Sequence, residues 1–77
     1  MRGYRNLKRG ERRIFDYPEQ FVTLPEYSAQ RGKTAEVIRP LIEGAEYDRE
    51  PFGERMYEIA IGGWVGHAWE SELRRLP

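Results

Sequence analysis

The sequence has no cysteine in its 77 residues, and this absence excludes several kinds of site. Without cysteine there is no disulfide, no thiolate zinc site and no cysteine nucleophile. Small secreted domains usually rely on such cross-links, so the composition favours a protein of the reducing cytoplasm. No apolar run approaches the roughly 20 residues of a membrane-spanning helix, and the polar start lacks the apolar core of a secretory signal. We therefore expect a small cytoplasmic protein with no membrane partner.

Residues suited to catalysis or metal binding are also scarce. His67 is the single histidine, and the two serines lie in unrelated contexts, so no Ser/His/Asp arrangement can be named. Glu58 and His67 could form an acid–base pair, but such cross-strand pairs are common on sheet surfaces. The acidic stretch 43–54 lacks the alternating Asp/Asn spacing of a calcium loop. We therefore expect no catalytic residues, no metal, no cofactor and no small-molecule substrate.

Charge is unevenly placed along a chain whose formal net charge is zero. Residues 1–13 hold six basic residues and one acidic residue, whereas residues 14–77 carry an excess of five negative charges. The first segment has few apolar side chains and no sustained periodicity, which predicts a basic flexible arm joined to one domain over residues 14–77. The arm is the candidate nucleic-acid site, in which the following side chains would contact phosphate groups: Arg2, Arg5, Lys8, Arg9, Arg12 and Arg13. The alternative is a solvated tail, either free or folded back on the acidic loop.

Short β-type runs and turn residues predict a mostly β domain. Residues 21–24 form the first run, which ends before Pro25. Residues 33–42 form the second, with Gly32 as its turn residue and with Ala35 and Val37 on one face. Pro40 cannot donate to a strand ladder, so that end of the strand should lie at an edge or leave the sheet.

The clearest signal is a β-hairpin over residues 55–69. The pair Gly62-Gly63 is typical of a two-residue type I′ turn. This turn would place large side chains opposite small ones on the core face, in the pairs Ile61–Trp64, Ile59–Gly66 and Tyr57–Ala68. The opposite face would hold the pairs Met56–Trp69, Glu58–His67 and Ala60–Val65. Residues 70–73 then predict a short closing helix that buries Leu73.

Several of these segments resemble parts of a known architecture. Residues 32–37 (GKTAEV) are similar to the strand opening of KOW-type and other SH3-like small barrels. Residues 56–59, the Gly62-Gly63 turn and residues 68–73 resemble the last hairpin and closing helix of such barrels. The resemblance covers roughly residues 20–74 and implies an all-β barrel of about five strands that acts as an interaction module. KOW-type members often bind RNA or ribosomal and transcription proteins, while other SH3-like barrels bind peptides or act as inhibitors.

Aromatic side chains are dense for so small a chain, at 13% of the residues. A core of this size cannot hide all of them, and exposed tryptophan and tyrosine typically anchor interfaces. We expect a protein-binding surface on the half-apolar hairpin face and adjacent loops, made by Met56, Val65, Trp69, Tyr27 and Tyr47. The alternative is that residues 14–17 cover this face.

The sequence therefore predicts a non-catalytic binding module, with two classes of partner left open. The first is a protein, in the manner of a phage or bacterial inhibitor or assembly accessory protein, with the acidic loop attracting a basic partner. The second is RNA or DNA, bound in the KOW manner through the basic arm. Nucleic-acid binding should weaken steeply with salt, whereas apolar protein binding should be nearly insensitive to it.

Overall fold

The computed structural model describes residues 7–17, 24–47 and 54–77 of the chain. These residues form one antiparallel five-stranded sheet that curls into a half-barrel. Its strands are β1 (Arg12–Phe15), β2 (Thr34–Pro40), β3 (Met56–Ile61), β4 (Trp64–Trp69) and β5 (Leu73–Arg74). Their spatial order is β4-β3-β2-β1-β5, so the chain meanders from β1 to β4 and returns to pair β5 with β1. The predicted all-β fold with about five strands is confirmed.

Helical structure in the described residues is limited to two short turns, α1 (Pro25–Ser28) and a 3-10 turn (Glu70–Glu72). The predicted closing helix is this 3-10 turn, and it leads Leu73 into the core as expected, with 3% of Leu73 exposed. The predicted strand over residues 21–24 lies outside the described residues except for Leu24, which immediately precedes α1. No helix in the described part of the chain has the length and apolarity needed to cross a membrane.

The hairpin of β3 and β4 has the predicted register at all six pairs, from Ile61–Trp64 to Met56–Trp69. The predicted turn type is wrong, because only Gly62 has a positive φ, of 61°. A positive φ at the first central residue alone is the pattern of a type II′ turn, which also matches the twist of the two strands. Gly32 has the left-handed φ expected of its turn, at 84°.

Strand β2 also follows the predicted alternation. Ala35 and Val37 are fully buried, while Thr34 and Glu36 are exposed. Within β2, residues 34–36 are the partners of β1, so Pro40 lies beyond the reach of β1 and pairs with Tyr57 of β3. The missing N–H of Pro40 therefore leaves no gap in the β1–β2 ladder.

The boundary predicted between arm and domain does not match the structure of the basic segment. Leu7 is only 5% exposed and belongs to the core, and its N–H donates to the Tyr57 hydroxyl at 3.2 Å. Arg12 and Arg13 lie in β1 and pair with β2. Leu7 is an isolated apolar residue in a basic segment, so no apolar pattern marks it as a core residue. A strand at the sheet surface can carry arginine on its outer face, so the charge of this segment did not exclude a strand. Residues 1–6 of the predicted arm lie outside the described residues.

The core is one cluster of buried apolar side chains. Its buried members are Leu7, Phe15, Ala35, Val37, Tyr57, Ile59, Ile61, Ala68 and Leu73. Tyr17, Tyr27 and Trp64 pack against this cluster and are partly buried. The prediction that Tyr57 and Trp64 face the core is confirmed.

Trp64 lies over Gly66, its neighbour two positions along the same face of β4. A Cβ atom placed on Gly66 would stand 2.2 to 2.8 Å from three atoms of the Trp64 ring. The ring therefore occupies the space that any other side chain would need. Phe15 and Tyr27 hold the ring in this place, with centroids 6.4 and 4.9 Å from that of Trp64.

We predict that Gly66→Ala destabilises the protein, because the added methyl group forces Trp64 out of its packing against Phe15 and Tyr27. Overpacking of this kind costs about 1–3 kcal/mol of unfolding free energy. Gly63→Ala is the matched control, because its Cβ meets no atom within 4 Å and its φ is not positive. Urea unfolding of both variants tests this, and equal midpoints for the two would contradict it.

Candidate binding groove

An open groove of about 280 Å³ runs beside the end of β4, between the loop that carries α1 and the 3-10 turn. Its lining residues are Tyr17, Leu24, Tyr27, Met56, His67, Trp69 and Glu72. Three of the five predicted protein-binding residues, namely Tyr27, Met56 and Trp69, meet in this groove. The groove is therefore built from the end of β1, the loop before β2, the β3–β4 hairpin and the 3-10 turn.

Tyr27 forms one wall of the groove and is fixed by several contacts. Its ring packs edge-on against Trp64 and lies 5.4 Å from the ring of Tyr17, measured between centroids. Its hydroxyl oxygen accepts a hydrogen bond from the His67 N–H at 3.0 Å. Tyr27 thus connects the loop before β2 to the outer strand of the sheet.

The groove lies along the free edge of β4, and two of its side chains satisfy backbone donors there. In an antiparallel ladder alternate N–H groups point away from the partner strand, and those of His67 and Trp69 do so here. The Tyr27 hydroxyl accepts the first, and Glu72 Oε1 accepts the second at 2.9 Å. An edge whose donors are already bonded is a poor template for adding another strand. These two bonds therefore make the addition of another strand at this part of the β4 edge less favourable.

The remaining two predicted protein-binding residues lie outside the groove lining. Tyr47 packs edge-on against the ring of Trp69, with centroids 5.8 Å apart, and so helps to hold Trp69 in position. Val65 is 53% exposed on the outer face of the hairpin. Of residues 14–17, Phe15 is fully buried in the core, and Tyr17 stacks on it with ring centroids 5.4 Å apart. Tyr17 lies beside Met56 and Trp69 in the groove, whereas the Val65 end of the outer face stays exposed.

Glu72 contributes a partly buried carboxylate to an otherwise mostly apolar lining. Burial raises its pKa above the ordinary value for glutamate, and the negative charges of Glu54 and Asp16 add to this rise. The hydrogen bond from the Trp69 N–H acts in the opposite direction, because it stabilises the charged form. The groove thus holds a negative charge that its surroundings make unfavourable.

The sequence interpretation missed Tyr17, Leu24, His67 and Glu72 as lining residues. The sequence places Tyr17 in a segment that could cover the hairpin face, and it places Glu72 in a predicted closing helix. One signal could have found Glu72, since a glutamate three residues after the start of a helical turn is placed to cap it. Leu24 and Tyr17 carry no comparable sequence signal.

The structure describes four of the six basic residues predicted to contact nucleic acid. Arg2 and Arg5 lie outside the described residues. Lys8, Arg9 and Arg12 are exposed, and Arg9 Nε donates to the Ile38 carbonyl at 3.2 Å. Arg13 is engaged internally, because its Nε donates to Glu11 Oε2 at 2.9 Å and its Nη1 to the Leu73 carbonyl at 3.3 Å.

The acidic loop after β2 is partly neutralised by an arginine of the sheet. Arg39 donates to both carboxylate oxygens of Glu46, at 2.8 and 2.9 Å, and to Glu58 Oε1 at 3.0 Å. Glu58 therefore pairs with Arg39, although His67 is its cross-strand neighbour. The hydrogen bond from Arg39, helped by the Ile42 N–H, lowers the pKa of Glu46 to about 2. Of the predicted acidic stretch, residues 48–53 lie outside the described residues.

Comparison of the chain with protein-family models, with curated proteins and with solved structures found no match in any of the three.

We predict that Tyr27→Phe exposes the His67 amide to solvent exchange while leaving the aromatic packing in place. The lost acceptor should lower the unfolding free energy by about 0.5–1.5 kcal/mol. Amide hydrogen exchange checks this residue by residue, with Gly66 and Ala68 as internal references because their N–H groups point towards β3. Unchanged protection at His67 would show that the Tyr27 hydroxyl does not cap the strand edge.

We predict that the Arg39–Glu46 pair makes stability depend on pH in acid. The folded-state pKa of Glu46 is lowered from 4.5 to about 2, so the contribution is complete above pH 4.5 and is lost as the pH falls towards 2. Arg39→Gln should therefore differ most from the native protein above pH 4.5, and least near pH 2. Because the pair is partly exposed, added salt should shrink the difference. Urea midpoints across this range test it, and a difference that is constant with pH would contradict it.

Proposed function

We propose that this chain is a non-catalytic protein-binding module whose groove receives side chains of a partner protein. The observation that carries the proposal is the convergence of Tyr27, Met56 and Trp69, from separate segments, on one open groove. Tyrosine and tryptophan with one exposed side are the side chains most often found to dominate the binding energy of protein interfaces. Rigid packing of Tyr27 on Trp64 and of Trp69 on Tyr47 reduces the entropy lost when a partner binds.

The arrangement of the sheet supports the SH3-like interpretation of the sequence, which we retain as part of the proposal. Five short antiparallel strands curl into a half-barrel, and a 3-10 turn precedes the last strand, which returns to β1. A barrel of this type commonly serves as an interaction module, although a fold alone does not select a partner. We propose that the protein is a cytoplasmic inhibitor or assembly accessory protein of a phage or bacterium.

Binding of RNA or DNA is the second candidate, and the exposure of Lys8, Arg9 and Arg12 favours it. These cations lie near the start of the chain, where Arg2 and Arg5 extend the basic segment. The ion pair between Arg13 and Glu11 argues against a large nucleic-acid-binding surface, because it already occupies the Arg13 guanidinium. The two candidates differ in salt dependence, because each phosphate contact on duplex DNA steepens it by about 0.9 log units per log of salt.

The test is to select peptides from a random displayed library on the native protein and to measure their affinity for groove variants. We expect binding that changes little with salt and weakens about thirtyfold or more in Trp69→Ala, as for a hot-spot residue. Met56→Ala should also weaken it, and Val65→Ala is the matched control, because Val65 is exposed outside the groove. Circular dichroism establishes that each variant is folded.

Two results would contradict this proposal. One is a set of selected peptides that bind Trp69→Ala and Met56→Ala as tightly as the native protein. The other is tight binding of labelled RNA or DNA that falls steeply with salt and is lost when Lys8 and Arg12 are replaced by alanine, with no peptide binding at the groove. The second result would favour the nucleic-acid candidate.

A further inference from the structure

The lining of the groove combines apolar surface with one acidic group. Among the described residues that line it, Glu72 carries the only carboxylate, and there is no lysine or arginine. We propose that the groove recognises a peptide through a lysine or arginine side chain, whose charge lies beside the Glu72 carboxylate. This inference rests on the proposed function and names the chemistry of the ligand that the groove selects.

The Glu72 carboxylate is held in place before any ligand arrives. Its Oε1 accepts the Trp69 N–H at 2.9 Å, which orients the side chain along the β4 edge. A carboxylate offers about four lone-pair sites, so one such bond leaves capacity for a charged donor. Hydrogen bonds between a guanidinium or ammonium group and a carboxylate are about twice as strong as bonds between neutral groups.

The electrostatic surroundings of Glu72 favour a cation over a neutral ligand. Asp16 and Glu54 add negative charge near Glu72, and burial makes the Glu72 charge less favourable. Arg74 offsets part of this through its bond to Asp16 at 3.1 Å, but both of those side chains are more than half exposed. A bound cation would replace the solvation that burial removes from Glu72.

The apolar part of the groove suits the alkyl portion of the same side chain. Lysine and arginine carry a methylene stem that packs on apolar surface while the charged end reaches a polar group. Met56, Tyr17 and Tyr27 line the same groove as Glu72, and tyrosine rings attract a cation placed over their faces. Leu24 and Trp69 extend the groove, which suits the neighbouring residues of a peptide better than an isolated small cation.

The experiment uses small probes of defined charge and follows the amide and indole signals of the labelled full-length chain by NMR. The probes are the N-acetyl amides of arginine, lysine and citrulline, of which citrulline is the neutral counterpart of arginine. We expect arginine and lysine to shift the signals of His67 and Trp69, and citrulline to bind about tenfold more weakly, as loss of a charged hydrogen bond predicts. Equal binding of arginine and citrulline to the native protein would overturn the proposal.

Glu72→Gln is the decisive variant, because glutamine keeps an oxygen that can accept the Trp69 N–H and should leave the fold intact. We expect it to remove the preference for arginine over citrulline. Glu26→Gln is the matched control: Glu26 is an exposed acid beside Tyr27 that does not line the groove, so its replacement changes the net charge equally. A preference that survives in Glu72→Gln, or that Glu26→Gln removes equally, would overturn the proposal.

Trp69→Ala separates this inference from the proposed function. Peptides that depend on Trp69 but show no preference for lysine or arginine would sustain the protein-binding function and overturn the cation-binding inference. Arginine that binds equally well to Trp69→Ala and to Glu72→Gln would bind elsewhere on the surface, which would overturn the inference and leave the peptide experiment to decide the function.

Discussion

The contact between the Trp64 ring and the backbone of Gly66 is the constraint on which the groove depends. The ring lies across the strand only because Gly66 has no side chain to occupy that space. Tyr27 packs against this ring, with the two ring planes nearly perpendicular and the centroids 4.9 Å apart. The position of Tyr27 in turn brings its hydroxyl to the His67 N–H and its ring to the wall of the groove. The absence of a Cβ atom at Gly66 thus helps to shape a groove formed by residues further along the chain.

The same two side chains bond to the sheet edge and line the groove, so the proposed recognition would be linked to stability. Tyr27 and Glu72 each accept a backbone N–H that β4 would otherwise present to solvent or to another strand. Strand edges left open tend to pair with other chains, so these bonds also protect a small protein against association. A ligand that displaced either side chain would reopen the edge. We therefore expect ligands to bind between these side chains and to leave both hydrogen bonds in place.

The fold was largely predictable from the alternation of residues, whereas the groove was not. Gly62-Gly63 sets the hairpin register, and Ala35 and Val37 define the buried face of β2, so the faces of the central strands follow from the sequence alone. The packing of Trp64 on Gly66 did not follow, because pairing rules compare residues across strands and this contact runs along one strand. Leu7 was missed because it is an isolated apolar residue in a basic segment. Glu72 and Tyr17 were missed because their role arises only when the 3-10 turn and the end of β1 meet beside β4.

The proton chemical shift of the Gly66 Hα atoms is the measurement that tests this account most directly. A proton held against the face of an aromatic ring is shifted upfield by the ring current. The account predicts a strongly upfield Gly66 Hα, with nuclear Overhauser effects from it to the Trp64 ring and from that ring to Tyr27. A Gly66 Hα at the ordinary position of a strand glycine, with no such effects, would show that Trp64 does not cover Gly66 and that the groove is not built as described.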